Sequence, residues 1–167
     1  MSTPNAVPLT PSQTVGPFFS DCLLSDGAKC DDLAPDARPE DRIAVYGYVY
    51  DGAGAPVPDA MLELWQDGSR FGRIGTDADG RFAFSSALPA LDPSRYISVA
   101  VFARGLLNHL YTRIYFPDNP GNASDVVFLR VPPERRSTLI ARDEGERVYR
   151  FDIVLQGRAE TVFFDFA

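Results

Sequence analysis

Two arginines, Arg104 and Arg113, are the residues of this sequence best suited to hold an anion or an aromatic ring. Arg104 ends the apolar run VFARG (101–105), and strand alternation gives it one face with Ser98, Ala100 and Phe102. A guanidinium that is desolvated there needs an anion. Either an internal carboxylate supplies it, which is the commoner arrangement, or a ligand does. Arg113 stands between Tyr111 and Tyr115, where the spacing favours stacking on aromatic rings over contact with a ligand.

Other chemistry finds little support. Imidazole is the usual ligand of catalytic iron, copper or zinc, and the chain holds one histidine, His109. One imidazole does not make a metal site, so His109 reads as a hydrogen-bonded histidine at a strand start. Asp77 and Asp79 before Gly80 suggest a calcium loop, but the acidic residue that should close it is missing, and the stretch reads as a turn. There is no glycine-rich phosphate loop, serine nucleophile elbow or HExxH helix, which counts against hydrolysis and phosphoryl transfer. Tyr46, Tyr48 and Tyr50 form either an aromatic binding surface or, more commonly, the amphipathic outer face of a sandwich strand.

Sixteen basic against twenty-three acidic residues give a net charge of -7, with no basic cluster, which disfavours nucleic acid and anionic membranes as partners. No apolar run approaches the roughly 18 residues of a membrane span, and the N-terminus lacks a basic-then-apolar signal, so the expected location is cytoplasmic. Cys22 and Cys30 are too few for a disulfide framework, and a reducing compartment leaves both free.

The elements that must position these residues are strands. Residues 1–41 are an N-terminal arm and loop rich in proline and aspartate, and residues 42–167 read as a single domain. In IAVYGYVY (43–50), Ile43, Val45 and Val49 share one face and the three tyrosines the other. Further strands are expected at 61–66, 81–85, 96–103 and 110–116, with a closing hairpin from the alternation of Phe151, Ile153 and Leu155 followed by Val162, Phe164 and Phe166. Residues 132–146 fit a short helix or a loop equally. The predicted fold is all-β, an antiparallel β-sandwich of about seven to eight strands with an extended N-terminal arm.

The arm itself, TPSQTVGPFF (10–19), fits neither a helix nor a central strand, yet ends in two phenylalanines. Read together with LELWQ (62–66), FGR (71–73), FARG (102–105), TLIA (138–141), YRFDI (149–153) and ETVFFDF (160–166), it resembles the alpha-type chains of the intradiol ring-cleaving dioxygenases, a family of non-haem iron enzymes. LELWQ alone marks only the wider family; the arm, FARG and ETVFFDF in this order are more specific.

The resemblance implies a hetero-oligomer in which a homologous beta chain binds Fe(III) through two tyrosines and two histidines. It implies protocatechuate and O2 as substrates and 3-carboxy-cis,cis-muconate as product. Tyr96 and Ser98 fall where the paired iron histidines would stand, so this chain is expected to bind no metal and to carry no catalytic residue of its own. Thr14, Gly16, Pro17 and Arg104 match the positions that line the substrate pocket. A fixed guanidinium also has an independent rationale: it would offset the repulsion between a substrate carboxylate and an acidic protein, and a charge-assisted hydrogen bond contributes ~1.5 to 3 kcal/mol. Two departures stand out: the segment 66–70 is short for the family, and the chain is compact. The alternatives are a non-enzymatic transthyretin-like binding module and, more remotely, a self-contained metalloenzyme.

Overall fold

A computed structural model describes residues 10–16, 19–89, 96–117 and 119–165. Nine strands are found among them: β1 (Arg42–Tyr50), β2 (Met61–Gln66), β3 (Arg70–Gly75), β4 (Arg81–Ala87), β5 (Tyr96–Phe102), β6 (Leu110–Tyr115), β7 (Arg142–Asp143), β8 (Val148–Arg150) and β9 (Ile153–Val154). They form two sheets. One runs in the order β4-β1-β8-β7 with β9 also on β1, and the other in the order β3-β2-β5-β6. The expected β-sandwich is therefore present.

Alternation explains how the sheets meet. Ile43, Val45 and Val49 of β1 and Phe82 and Phe84 of β4 are buried against Leu62, Leu64, Ile74, Ile97, Val99, Val101 and Ile114 of the second sheet, in one continuous core. Burying each such side chain contributes roughly 1.5 to 3 kcal/mol before chain entropy is charged against it. The tyrosines at 46, 48 and 50 stay half-buried on the outside. Strand β5 is central to its sheet, flanked by β2 and β6, as its nearly unbroken apolar run requires.

The C-terminal edge differs from the expected closing hairpin. Strands β8 and β9 pair parallel to β1, so the first sheet is mixed. Residue 47 makes this possible: a Cβ there would lie 1.7 Å from the Phe151 carbonyl oxygen, and only glycine lets that backbone approach. The tail then turns back, Thr161 N donating to Val154 O at 2.9 Å, and touches the other sheet through a bridge between Phe164 and Tyr111. Period-two alternation reports which face is buried, not the direction of the neighbouring strand. Phe166 lies outside the described residues.

Residues 132–146, left open by the sequence, hold a 3-10 helix (Pro133–Leu139) and β7. The short helix α1 (Phe19–Leu23) follows the arm, and α2 (Val126–Arg130) packs outside the second sheet. Asp125 caps α2, its Oδ1 accepting from Val127 N at 2.8 Å and Phe128 N at 2.9 Å. Phe128, Val131 and Leu139 form a second apolar cluster with Tyr115. The short segment 66–70 is a tight hairpin: Asp67 and Gly68 both take positive φ, 55° and 69°. The stretch 77–80 is a turn, with Asp77 Oδ1 accepting from Asp79 N and Arg81 N. Both cysteines are free, and no helix among the described residues is long and apolar enough to cross a membrane.

Candidate functional site

Strand β5 ends at Phe102 and passes into a turn closed by Leu106 N donating to Ala103 O at 3.2 Å. Gly105 sits at φ 91°, a conformation that L side chains rarely adopt. The arm docks on this turn. The Thr14 hydroxyl accepts from Gly105 N at 2.8 Å and donates to Ala103 O at 3.5 Å, joining residues some ninety positions apart. Gly16 follows at the surface, with nothing within 4 Å of where a Cβ would stand. Pro17 lies outside the described residues. Of the four expected pocket residues, Thr14 bonds the turn that carries Arg104, and Gly16 lies two residues further along the same arm.

Arg104 leaves the strand face that alternation assigned to it, because the strand has ended. Its side chain is 61% exposed and donates through Nε to Oδ2 of Asp59. The internal carboxylate expected as one alternative is therefore present, while much of the guanidinium still faces outward. Asp59 had escaped sequence reasoning. The signal was the strand register: Met61 of β2 stands opposite Phe102 of β5, and carrying that pairing two residues past the strand ends brings Asp59 opposite Arg104.

Beside this turn lies a cleft of about 180 Å³ lined by Gln13, Val15, Phe102, Leu106, Leu107 and His109, among others. His109 stands immediately before β6, as expected of a strand start, but its partners are rings. It stacks on Phe102 at 5.2 Å and meets Tyr111 edge-on at 4.4 Å.

The opposite end of β5 is organised differently. Arg113 is held with its Cζ 3.9 Å from the Tyr96 ring centroid and 5.5 Å from that of Phe164. The stacking expected of it exists, with different partners. Tyr111 and Tyr115 flank Arg113 on its own strand, whereas Tyr96 is its diagonal neighbour across the ladder and Phe164 arrives from the tail. Arg113 Nη1 also donates to the Tyr115 hydroxyl at 3.2 Å and lies 3.8 Å from Asp125 Oδ2. Burial pushes the Tyr115 phenol up to about 12, against the opposing pull of its hydrogen bond from Arg113.

On the other sheet, Tyr46 donates to Glu144 at 2.5 Å, and Arg81 and Arg150 lie over the Tyr46 and Tyr48 rings. That face is the amphipathic outside of a sandwich strand.

The residues present do not fit an iron site. No group of three or more His, Cys, Asp or Glu that could hold a metal occurs among the described residues. Tyr96 and Ser98 share their face with a cation already in place.

The chain is 41% identical to the protocatechuate 3,4-dioxygenase alpha chain of Burkholderia cepacia, over 93% of this chain and 96% of the relative. It belongs to the protocatechuate 3,4-dioxygenase alpha-chain family. The alpha chain of Pseudomonas putida is 36% identical over 96% and 98% of the two chains, and the beta chain of Burkholderia cepacia 32% identical over 72% and 67%. Relatedness to both alpha and beta chains supports an alpha-beta partnership.

Among solved structures, the dioxygenase domain of a carbohydrate-binding fusion from Streptomyces sp. SirexAA-E matches with a TM-score of 0.63 and 30% identity, over 89% of this chain and 99% of that one. Catechol 1,2-dioxygenase from Pseudomonas arvilla C-1 shares the fold, with a TM-score of 0.57 and 22% identity over 75% and 55%. No family model matches the chain. The chain is thus of the intradiol dioxygenase kind, an enzyme subunit, and the transthyretin-like binding module is not favoured. The alpha-chain alignments run over 191 and 196 positions, more than the 167 residues of this chain. The relatives therefore carry insertions it lacks, in line with the compactness noted in the sequence.

Proposed function

We propose that this chain is the substrate-orienting alpha subunit of a protocatechuate 3,4-dioxygenase, completing with a homologous beta chain the site that converts protocatechuate and O2 to 3-carboxy-cis,cis-muconate. The ferric ion implied by the family is assigned to the beta chain, since the residues here do not suit it. Thr14, Gly16, Pro17 and Arg104 form this chain's share of the pocket. Residues 1–41 are the N-terminal arm and loop, the arm reaching toward the partner and the loop lying against the sheets at Cys30 and Asp32, and 42–167 are the sandwich that carries them. Two free thiols accord with a cytoplasmic complex.

The carrying observation is the bond from the Gly105 amide to the Thr14 hydroxyl, which ties the arm to the turn that presents Arg104. The arm is thereby fixed beside a guanidinium rather than left as a strap elsewhere on the surface. Protocatechuate brings a carboxylate to a protein of net charge -7, and an oriented guanidinium offsets that repulsion and fixes the ring. At ~1.5 to 3 kcal/mol, the interaction changes affinity by about one to two powers of ten.

The test is Arg104→Ala in the co-expressed alpha-beta complex. KM for protocatechuate should rise about 10- to 100-fold, and the preference over plain catechol should fall by the same factor. An unaltered KM together with an unaltered preference would defeat the carboxylate clamp.

A further inference from the structure

Arg104 alone makes a poor clamp. Its long side chain is mostly in solvent and rich in rotamers, so an untethered guanidinium would surrender much of its binding free energy on being fixed. The structure tethers it at one atom. Arg104 donates through Nε to Asp59 Oδ2, and Asp59, in the connection before β2, is much less exposed than its partner, 28% against 61%. The strand register brings the two together: β2 and β5 are paired antiparallel from Met61 opposite Phe102 to Trp65 opposite Ser98, and Asp59 and Arg104 lie two residues beyond the end of that ladder. Backbone on both sides is held, by Ala60 N donating to Thr76 Oγ1 at 2.9 Å and by Gly105 N donating to Thr14.

We propose that Asp59 is the positioning residue of the substrate clamp: it anchors Arg104 through Nε and so presents the two terminal guanidinium nitrogens to a carboxylate. This inference rests on the proposed substrate-orienting role. A guanidinium is a planar fork of five N–H donors, and the terminal pair is one of the edges that matches a carboxylate bidentately. An anchor at Nε leaves that edge for the incoming group and removes the rotamer search. Asp59 also sets a limit: its negative charge stands behind the guanidinium, so the clamp favours a substrate that approaches from the terminal side. A ring without a carboxylate gains nothing from the arrangement, which makes Asp59 a determinant of specificity that acts only through Arg104.

The experiment compares Asp59→Ala, Asp59→Glu, Arg104→Ala and the double alanine variant in the co-expressed complex, with protocatechuate and catechol as probes. Asp59→Ala should lower the preference for protocatechuate over catechol about tenfold, the loss falling on KM rather than kcat. Asp59→Glu should recover most of it, and the double variant should be no worse than Arg104→Ala. If Arg104→Ala destroys the preference while Asp59→Ala leaves or strengthens it, the anchoring role is overturned and the clamp survives. Equal loss on both substrates with a lowered melting temperature also overturns it, since that marks a merely structural residue. If Arg104→Ala itself leaves the preference intact, the orienting role fails and Asp59 has nothing to position.

Discussion

Replacing Thr14 by valine removes a hydroxyl and almost nothing else, which makes it a sharp test of whether the arm is held by the Arg104 turn. The Thr14 hydroxyl makes two bonds to that turn. The one accepted from Gly105 N is short, 2.8 Å, and the one given to Ala103 O is at the limit, 3.5 Å. Only the first contributes appreciably. A neutral hydrogen bond is worth about 0.5 to 1.5 kcal/mol net, and water can reach the Gly105 amide in the variant, so a loss of about 0.5 to 1 kcal/mol is expected. That multiplies the undocked population of the arm by about 2 to 5.

Two measurements on the co-expressed complex separate this from a general weakening. Cleavage in the arm by a protease that cuts at apolar residues such as Val15 should quicken by that factor, because slow cleavage tracks the open population. KM for protocatechuate should rise by no more than the same factor. The melting temperature should shift by at most about 4 °C, the effect of roughly 1 kcal/mol in a chain of this size. Thr14→Ser, which retains the hydroxyl, should behave nearly as wild type. Unchanged cleavage and KM in Thr14→Val, or a serine variant as impaired as the valine, would refute the latch.

Two further outcomes concern the scaffold. Gly47→Ala should cost at least about 1 to 3 kcal/mol, because its Cβ would collide with the Phe151 carbonyl and push β8 and β9 off β1; a thermal melt indistinguishable from wild type would exclude that approach. Tyr115 should make the fold weaken in alkali: its phenol ionises near 10 when unfolded and about 12 when folded, so between these values only the unfolded chain loses the proton and stability falls as pH rises. Tyr115→Phe should remove this part of the alkaline dependence, read as melting temperature against pH, and an unchanged slope would show that the phenol does not contribute.

The sheets were legible because burial on one face forces alternation. Ile43, Val45 and Val49 announced the inner face of β1, and the apolar run after Tyr96 announced a central strand. Pairing direction was not legible: Phe151 and Ile153 look the same whether they join an antiparallel hairpin or lie parallel along β1, and Gly47, which decides it, looks like any glycine. Arg113 was recognised as a stacking cation, but its nearest ring comes from the neighbouring strand, a diagonal that sequence spacing along one strand does not contain. The site was half legible. Arg104 stood out as a charge at the end of an apolar strand, whereas Asp59 is one of many acidic residues until register places it. The docking of Thr14 spans ninety residues of chain and leaves no local trace.

Strand β5 carries the argument for a shared site. Under the proposed function Tyr96 and Ser98, which begin it, take the places of the iron ligands, and Arg113 lies close against the Tyr96 ring. A guanidinium fixed at that place, even paired with Asp125 at 3.8 Å, disfavours a metal cation beside it. Arg104 follows the other end. The six-residue step from Tyr96 to Phe102 spans about 20 Å of extended chain, so the proposed clamp and the proposed ligand positions stand at opposite ends of the strand. Under the proposed function this separation is what a partner requires: the beta chain brings its own iron, and meets Thr14, Gly16, Asp59 and Arg104 at the end of β5 that faces away from the position the metal has lost.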